Sequence, residues 1–386
     1  MKRQLRRRAA LSHSLALLLP LVAGALAPLA AAAPAARAAG GPCGPSVPYR
    51  SGTSGYHTFR IPAAVAVPGG TLLAFAEGRR DSAADDGDID IVLRRSTDGG
   101  CTWGPLQVVA DAGGGTAGNP APVVDPATGD VVLLSCGTVG GATEDEIVDG
   151  AVSPAVRRVY VQRSTDDGAT WSPRRDITAD VKRPGWNWYA TGPGHAVALR
   201  GGPHPGRLLV PANHSLASDG SSGGHALYSD DGGATWHIGY VADEPGTVNE
   251  STLTELADGT VYVNARDMGG RAAARDSAYS TDGGESLAVP FTAQPDLAGP
   301  QVQGSVLRAA DGRLLFSGPA DPASRRRMQV RTSADGGRTW RPLWTVSDDP
   351  AGYSDLVQRT PSEVGLLYET GTADSRETIT YRPLPA

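Results

Sequence analysis

Three arginines, Arg60, Arg266 and Arg325, stand far apart in a chain whose formal net charge is −6. Brought together by a fold, they would make a socket for one carboxylate. Planar guanidinium forks bond carboxylate oxygens in a fixed geometry and stay charged at any working pH; lysine offers charge without the fork. The chain also places groups suited to proton transfer and nucleophilic attack on short polar stretches. These are Asp85 in Arg79-Arg80-Asp81-Ser82-Ala83-Ala84-Asp85-Asp86-Gly87, Glu250 in Val248-Asn249-Glu250-Ser251-Thr252, and Tyr353 in Gly352-Tyr353-Ser354-Asp355-Leu356.

Composition narrows the class. The 386 residues are 40% hydrophobic and 20% charged, an ordinary globular balance with ample length for a large core. Fifty glycines and thirty prolines with few aromatics favour many turns over long helices. Residues 1–39 resemble an export signal: Lys2, Arg3, Arg6, Arg7 and Arg8 precede an apolar stretch from Leu15 to Leu29, then small residues up to Ala39. Its removal takes away six basic and no acidic residues, so the charge falls from −6 to −12. A nucleic-acid binder would show the opposite balance, and no later stretch is apolar enough to span a bilayer. The expectation is a secreted protein acting as a monomer, with residues 40–386 as one catalytic domain. Export permits a disulfide among Cys43, Cys101 and Cys136. The pairing expected here is Cys101 with Cys136, leaving Cys43 odd. No metal-ligand spacing occurs, so neither a metal nor a cofactor is expected.

The positioning elements announce themselves as repeats. Ser-x-Asp-x-Gly-x-Thr-Trp recurs at Ser96–Trp103, Ser164–Trp171, Ser229–Trp236, Ser280–Leu287 and Ser333–Trp340, the fourth copy ending in Ser286 and Leu287. Successive starts lie 68, 65, 51 and 53 residues apart, the spacing of propeller blades with variable loops. Ser and Asp bond nearby amides, Gly takes the positive φ, and Trp packs between sheets. With no useful helical periodicity after residue 40, the expected fold is all-β, a six-bladed β-propeller. Its sixth blade would be closed by joining the chain ends, with Val364–Thr370 and Glu377–Tyr381 as strands.

Phe59-Arg60-Ile61-Pro62 followed by these boxes resembles the bacterial sialidases (neuraminidases), exo-acting glycoside hydrolases, over essentially the whole mature chain. The resemblance implies that Arg60, Arg266 and Arg325 clamp the carboxylate of a sialic acid, with Arg326 and Arg327 as alternatives for the third. Glu369 in Leu366-Leu367-Tyr368-Glu369 matches the acid that braces the first arginine. Sialidases are a known exception to the two-carboxylate rule of glycosidases because they use a tyrosine nucleophile. The resemblance carries that role to Tyr353, with Glu250 as its proton acceptor and Glu255 a neighbour. A neutral phenol avoids driving a carboxylate against a centre that already bears an anion. Asp85 takes the acid/base role, with Asp81 and Asp86 as neighbours. Arg79 matches an additional arginine near the sugar's C4 hydroxyl. Asn119, in Gly118-Asn119-Pro120, stands where many relatives carry Asp. Trp186, Trp188 and Tyr189 are equally suited to wall the cleft or to pack a blade. The implied partners are sialylated glycans, and the implied activity is hydrolysis with retained configuration. Transfer of sialic acid to another sugar, action on a related 2-keto acid sugar, and non-catalytic sialic-acid binding are the competing readings.

Overall fold

Five Ser-Asp-Gly turns fold alike. In each, the serine hydroxyl accepts the amide four residues on, from Gly100, Gly168, Gly233, Gly284 and Gly337, at 2.8 to 2.9 Å. The aspartate then accepts the amide of the Thr that follows, and in the fourth copy Ser286 does the same work at 3.0 Å. Glycines at positive φ make the reversal possible, and in the second copy Asp167 tolerates a φ of 57°. The terminal tryptophans pack inward: Trp171 sets its edge against Phe75 at 5.8 Å, and Trp340 donates to Gly337 O at 3.0 Å.

The computed structural model describes residues 43–269 and 275–385, and over this range the chain is all-β apart from short helical turns. The expected export signal at residues 1–39 lies outside the described residues. Strands fall into four sheets. One runs Thr58–Ala66, Leu72–Arg79, Ile89–Ser96, then crosses by a single parallel bridge, Ile89 to Thr116, into Thr116–Val124, Val131–Thr138, Arg157–Ser164 and Arg175–Asp176, with Gln107–Ala110 beside Ile89–Ser96. The second is Trp186–Thr191, Leu208–Leu216, Ser222–Ser229 and His237–Ala242, with Val197–Ala198 on Leu208–Leu216. The third is Val248–Glu255, Val261–Asp267, Arg275–Ser280 and Val289–Ala293. In the fourth, the long strand Arg341–Thr360 pairs Arg326–Ser333 with its first half and Glu363–Thr370 with its second. Ser46–Arg50 adds to Thr378–Pro385 at the far edge, so the N-terminal strand is hydrogen-bonded to the C-terminal one.

Middle strands such as Leu72–Arg79 and Val131–Thr138 are buried along their whole length because neighbouring sheets pack on both faces. One contiguous core joins Val132 and Leu134 to Leu208 and Val210 across two sheets. Polar pins also cross between sheets. Asp355, 1% exposed, accepts Ala64 N at 2.8 Å, His195 N at 2.9 Å and Ser305 Oγ at 2.8 Å, and pairs with His195 Nδ1 at 2.7 Å. Burial alone would lower the His195 pKa, but the Asp355 carboxylate raises it.

One feature recurs at the first strand of successive units. Register shifts occur between Arg60 and Ala63, Gly118 and Ala121, Trp186 and Tyr189, Val248 and Ser251, and Ala351 and Ser354. Each bulge re-aims one or two side chains out of the ladder. The residues so released include Ile61, next to Arg60, and Asn119, Trp188, Glu250 and Tyr353.

The cysteine expectation is overturned. The disulfide joins Cys43 to Cys101, 58 residues apart in sequence, and Cys136 is free. Cys136 sits fully buried on Val131–Thr138, against Thr191 of the next sheet. Cys101 lies in the turn of the first box, where Ser46 Oγ bonds Gly100 O and accepts Trp103 Nε1. Strand direction thus separates Cys101 from Cys136 and brings the N-terminal segment to Cys101. Cys101→Ser should cost about 2–4 kcal/mol in a urea melt under oxidising conditions, while Cys136 should stay unreactive to thiol reagents until unfolding. Asp355→Ala should cost about 3–5 kcal/mol in the same assay, since it strands a buried His195 and frees donors from three other segments.

Candidate functional site

In the bulge of Thr58–Ala66, Ile61 stands at φ 58°, a left-handed conformation costly for a β-branched side chain. The twist gives its amide a new partner. Glu369, 0% exposed on Glu363–Thr370, accepts Ile61 N at 2.9 Å and Arg60 Nε at 2.7 Å through Oε1, and Tyr353 N at 3.1 Å through Oε2. One carboxylate therefore sets both an arginine and a tyrosine. Gly352 is needed for this approach, because a Cβ there would lie 2.2 Å from Glu369 Oε2. Beneath them Ile61, Val302 and Tyr353 form a small apolar cluster.

Tyr353 is 7% exposed, and its hydroxyl donates to Glu250 Oε1 at 2.5 Å. Glu250 Oε2 accepts Arg266 Nη1 at 2.9 Å. Burial pushes the phenol well above its ordinary pKa and the Glu250 charge adds to this, while Arg266 and Arg60 oppose. The phenol is neutral in the resting site, with an acceptor already in line for its proton. Arg60 and Arg325 lie over the Tyr353 ring at 5.2 and 6.0 Å, and Arg266 reaches the same tyrosine through Glu250. The three arginines of the sequence reading therefore gather around one phenol. Arg325 is exposed and donates to Gln301 O at 3.0 Å. Its neighbours turn elsewhere, Arg326 to Asp348 O and Arg327 to Ala320 O. Burial would lower the pKa of Arg60, but Glu369 and Tyr353 reverse the shift and keep it cationic.

On the other side, Asp85 Oδ1 meets Arg79 Nη2 at 2.6 Å, and the Asp85 side chain is 76% exposed. Partial burial would raise its pKa, yet Arg79, Arg60 and Arg325 together bring it below the ordinary value. Arg79 is itself anchored on Glu77 through Nε at 3.1 Å and Nη2 at 2.7 Å. Asn119, at φ 54°, donates its amide to Glu77 Oε1 at 2.9 Å, and its side-chain oxygen accepts Arg157 Nη2 at 2.8 Å. Glu255 is a loop brace instead, accepting the amides of Arg200 and Gly201. Trp186 and Tyr189 are core residues, Trp186 stacked on His214 and Tyr189 edge-on to His225, leaving Trp188 alone of that trio half-buried beside the cleft.

Sequence reasoning missed Arg157 and Glu77. Arg157 is 1% exposed, bonds Tyr189 O and Thr138 Oγ1, and stacks on Trp188 at 3.9 Å. No local signal separates it from the exposed Arg158 next to it. Glu77 lay two residues from Arg79 on a strand of continuous burial, and a buried acid there was the available signal. Chemically, the arrangement combines guanidinium groups that can bind a carboxylate, a phenol with a proton acceptor, and a second carboxylate on an exposed loop opposite.

The chain is similar to known proteins in its repeats, its sequence and its fold. A BNR repeat-like domain matches residues 70–366. The sialidase of Micromonospora viridifaciens is 37% identical over 342 residues, covering 83% of this chain and 51% of that protein, so the chain spans about half its relative's length. The exo-alpha-sialidase of Aspergillus fumigatus is 34% identical over 348 residues, covering 82% of this chain and 79% of that one. The solved structure of the Hadza microbial sialidase Hz136 superposes with a TM-score of 0.77 at 28% identity, covering 87% of this chain and 67% of the other. By sequence, repeat and fold together, the chain belongs to the sialidase family.

Proposed function

We propose that the protein is a secreted exo-alpha-sialidase that hydrolyses terminal α-linked sialic acids from glycans with retention of configuration, and that its strands form a six-bladed propeller. The observation that carries the activity is the 2.5 Å Tyr353–Glu250 pair ringed by Arg60, Arg266 and Arg325. Six blades are supported by the pairing pattern. Two units share each of the seven- and eight-stranded sheets, one unit makes each of the others, and Ser46–Arg50 pairs with Thr378–Pro385 at one edge of the seven-stranded sheet. Secretion is supported by the basic and apolar character of residues 1–39, and action as a monomer by the completeness of the side-chain set within one chain.

In this mechanism Arg60, Arg266 and Arg325 hold the substrate carboxylate and fix the sugar over Tyr353. Tyr353 Oη attacks the anomeric carbon C2 as Glu250 takes its proton, and Asp85 gives a proton to the departing glycosidic oxygen. The product of this step is a sialyl-tyrosine. Water then attacks C2, Asp85 takes its proton, and the phenolate leaves and recovers the proton held on Glu250. Two inversions leave the α configuration. Asp85 must be protonated to act first. In the free site the arginines keep it ionised, and a bound carboxylate neutralises much of that field, so substrate raises the Asp85 pKa.

Tyr353→Phe should lower kcat/KM on a fluorogenic sialoside by roughly 10³-fold or more, with an unchanged circular dichroism spectrum. Glu250→Gln should lose roughly 10²–10⁴-fold. Proton NMR of early product should show the α anomer of free sialic acid; β first would reject retention. Near-normal turnover by Tyr353→Phe would remove it as nucleophile. A pH series tests Asp85. Its free-state pKa is depressed, so the alkaline limb of kcat/KM should begin at low pH. The alkaline limb of kcat, which reports the bound complex, should lie at higher pH. Coincident limbs would exclude Asp85 as the acid whose pKa the substrate raises.

A further inference from the structure

The second half of the strand Arg341–Thr360 has a strand neighbour on one side only. Arg326–Ser333 follows it as far as Pro350, and from Ala351 to Thr360 it pairs, among the described residues, with Glu363–Thr370 alone. That half carries Tyr353, and its other edge is buried: Ser354 and Asp355 are 0% and 1% exposed. A buried edge must find partners for its amides and carbonyls elsewhere. Side chains from the stretch that leads into Ser305–Arg308 supply them. Gln303 Oε1 accepts Ser354 N at 3.0 Å, Gln303 Nε2 donates to Ser354 O at 3.0 Å, and Ser305 Oγ accepts Leu356 N at 3.1 Å.

A glutamine amide has an acceptor and two donors, so it meets both main-chain groups of Ser354 as a neighbouring strand would, with one donor left over. That donor goes to Pro193 O at 3.2 Å. One residue earlier, Gly192 O accepts Ser251 N at 3.2 Å. A single amide on a residue 2% exposed thus ties the residue after Tyr353 to the bend that holds the residue after Glu250. The stretch around Gln303 is itself fixed. Val302 packs on Tyr353 and Ile61 and its carbonyl accepts Arg275 Nη1 at 2.8 Å, while a Cβ at Gly304 would lie 2.5 Å from Phe316 Cζ.

Resting on the reading of Tyr353 as nucleophile, we propose that Gln303 is a positioning residue for the first displacement: by tying Ser354 to Pro193 it sets how the phenol stands against Glu250 and the sugar. The three hydrogen bonds of its amide are all to main chain, so its effect passes through other residues. Tyr353 Oη and Glu250 Oε1 meet at 2.5 Å, a short line that a small shift of either backbone breaks. The arginines take their partners from Glu369, Glu250 and Gln301, so carboxylate binding does not run through this amide.

Gln162 is the matched control, a buried glutamine whose Nε2 bridges Val109 O and Ser172 O at 3.1 Å, on segments that carry no site residue. Each glutamine is replaced by leucine, and the variants are assayed on a fluorogenic sialoside, titrated with free sialic acid by calorimetry and melted in urea. Gln303→Leu should lose roughly 10²-fold in kcat while its Kd for sialic acid stays within about threefold of wild type. Gln162→Leu should lose similar stability with kcat unchanged. Equal kcat losses in the two leucine variants, or a Gln303→Leu effect confined to Kd, overturn the inference and leave the sialidase reading standing. Gln303→Glu decides the matter where the leucine variant does not fold. Its neutral form keeps an acceptor and one donor, whereas its charged form sets a carboxylate against Ser354 O and Pro193 O. Its kcat relative to wild type should therefore rise roughly tenfold from about pH 8 to about pH 5, and a ratio that does not change with pH overturns the inference. Folded wild type without turnover removes the sialidase reading, and near-normal kcat for Tyr353→Phe removes the nucleophile, each taking this inference with it.

Discussion

A single buried carboxylate holds the centre of this structure in register. Glu369 has no exposure, and its two oxygens take three donors from two other strands: Arg60 Nε, Ile61 N and Tyr353 N. An isolated buried anion would be costly, and so would the buried Arg60 guanidinium; each makes the other tolerable. The pair spans 309 residues of sequence, so it joins strands near the two ends of the chain at the place where the chemistry sits. The positive φ at Ile61 and the bare Cα of Gly352 follow from it, since without the first the amide would not face Glu369 and without the second the carboxylate would not fit.

Electrostatic balance extends this pattern outward. Each cation of the cleft is held by an acid or by neutral acceptors: Arg60 by Glu369, Arg79 by Glu77, Arg266 by Glu250, Arg157 by Asn119, Thr138 and Tyr189, and Arg325 by Gln301 O. Those partners fix each guanidinium without covering the whole of it, which leaves hydrogen-bonding capacity for an incoming anion. The net shifts at Tyr353 and Asp85 run in opposite directions, although the nearby arginines lower both. Tyr353 is kept neutral by burial and by Glu250, whereas the exposed Asp85 is held ionised by three arginines. Such separation of pKa values between neighbouring groups is what an acid–base division of labour requires.

The bulges explain how a regular all-β scaffold yields an irregular site. A strict ladder alternates side chains between faces of a sheet. Register shifts in five of the inner strands, though not in Ser305–Arg308, break the alternation once and re-aim side chains at the site. The five Ser-Asp-Gly turns and pins such as Asp355 hold the sheets rigidly enough for those local exceptions to persist.

The repeats were legible in the sequence because their physics is local: Ser, Asp and Gly satisfy and bend their own turn, even in the fourth copy where Thr and Trp are lost. Arg60, Arg266, Glu250, Tyr353 and Asp85 could be singled out because each is embedded in a short distinctive stretch. Contacts between strands could not. Cys101 gave no hint of Cys43 over Cys136, because the choice depends on which face of Val131–Thr138 carries Cys136 and where the first strand docks. Arg157 looks like Arg158 in sequence. The residue types and turns were determined by the sequence through interactions within a few residues. Which arginine is buried and which cysteines meet were decided by tertiary structure, because these depend on side-chain direction across strands far apart in the chain.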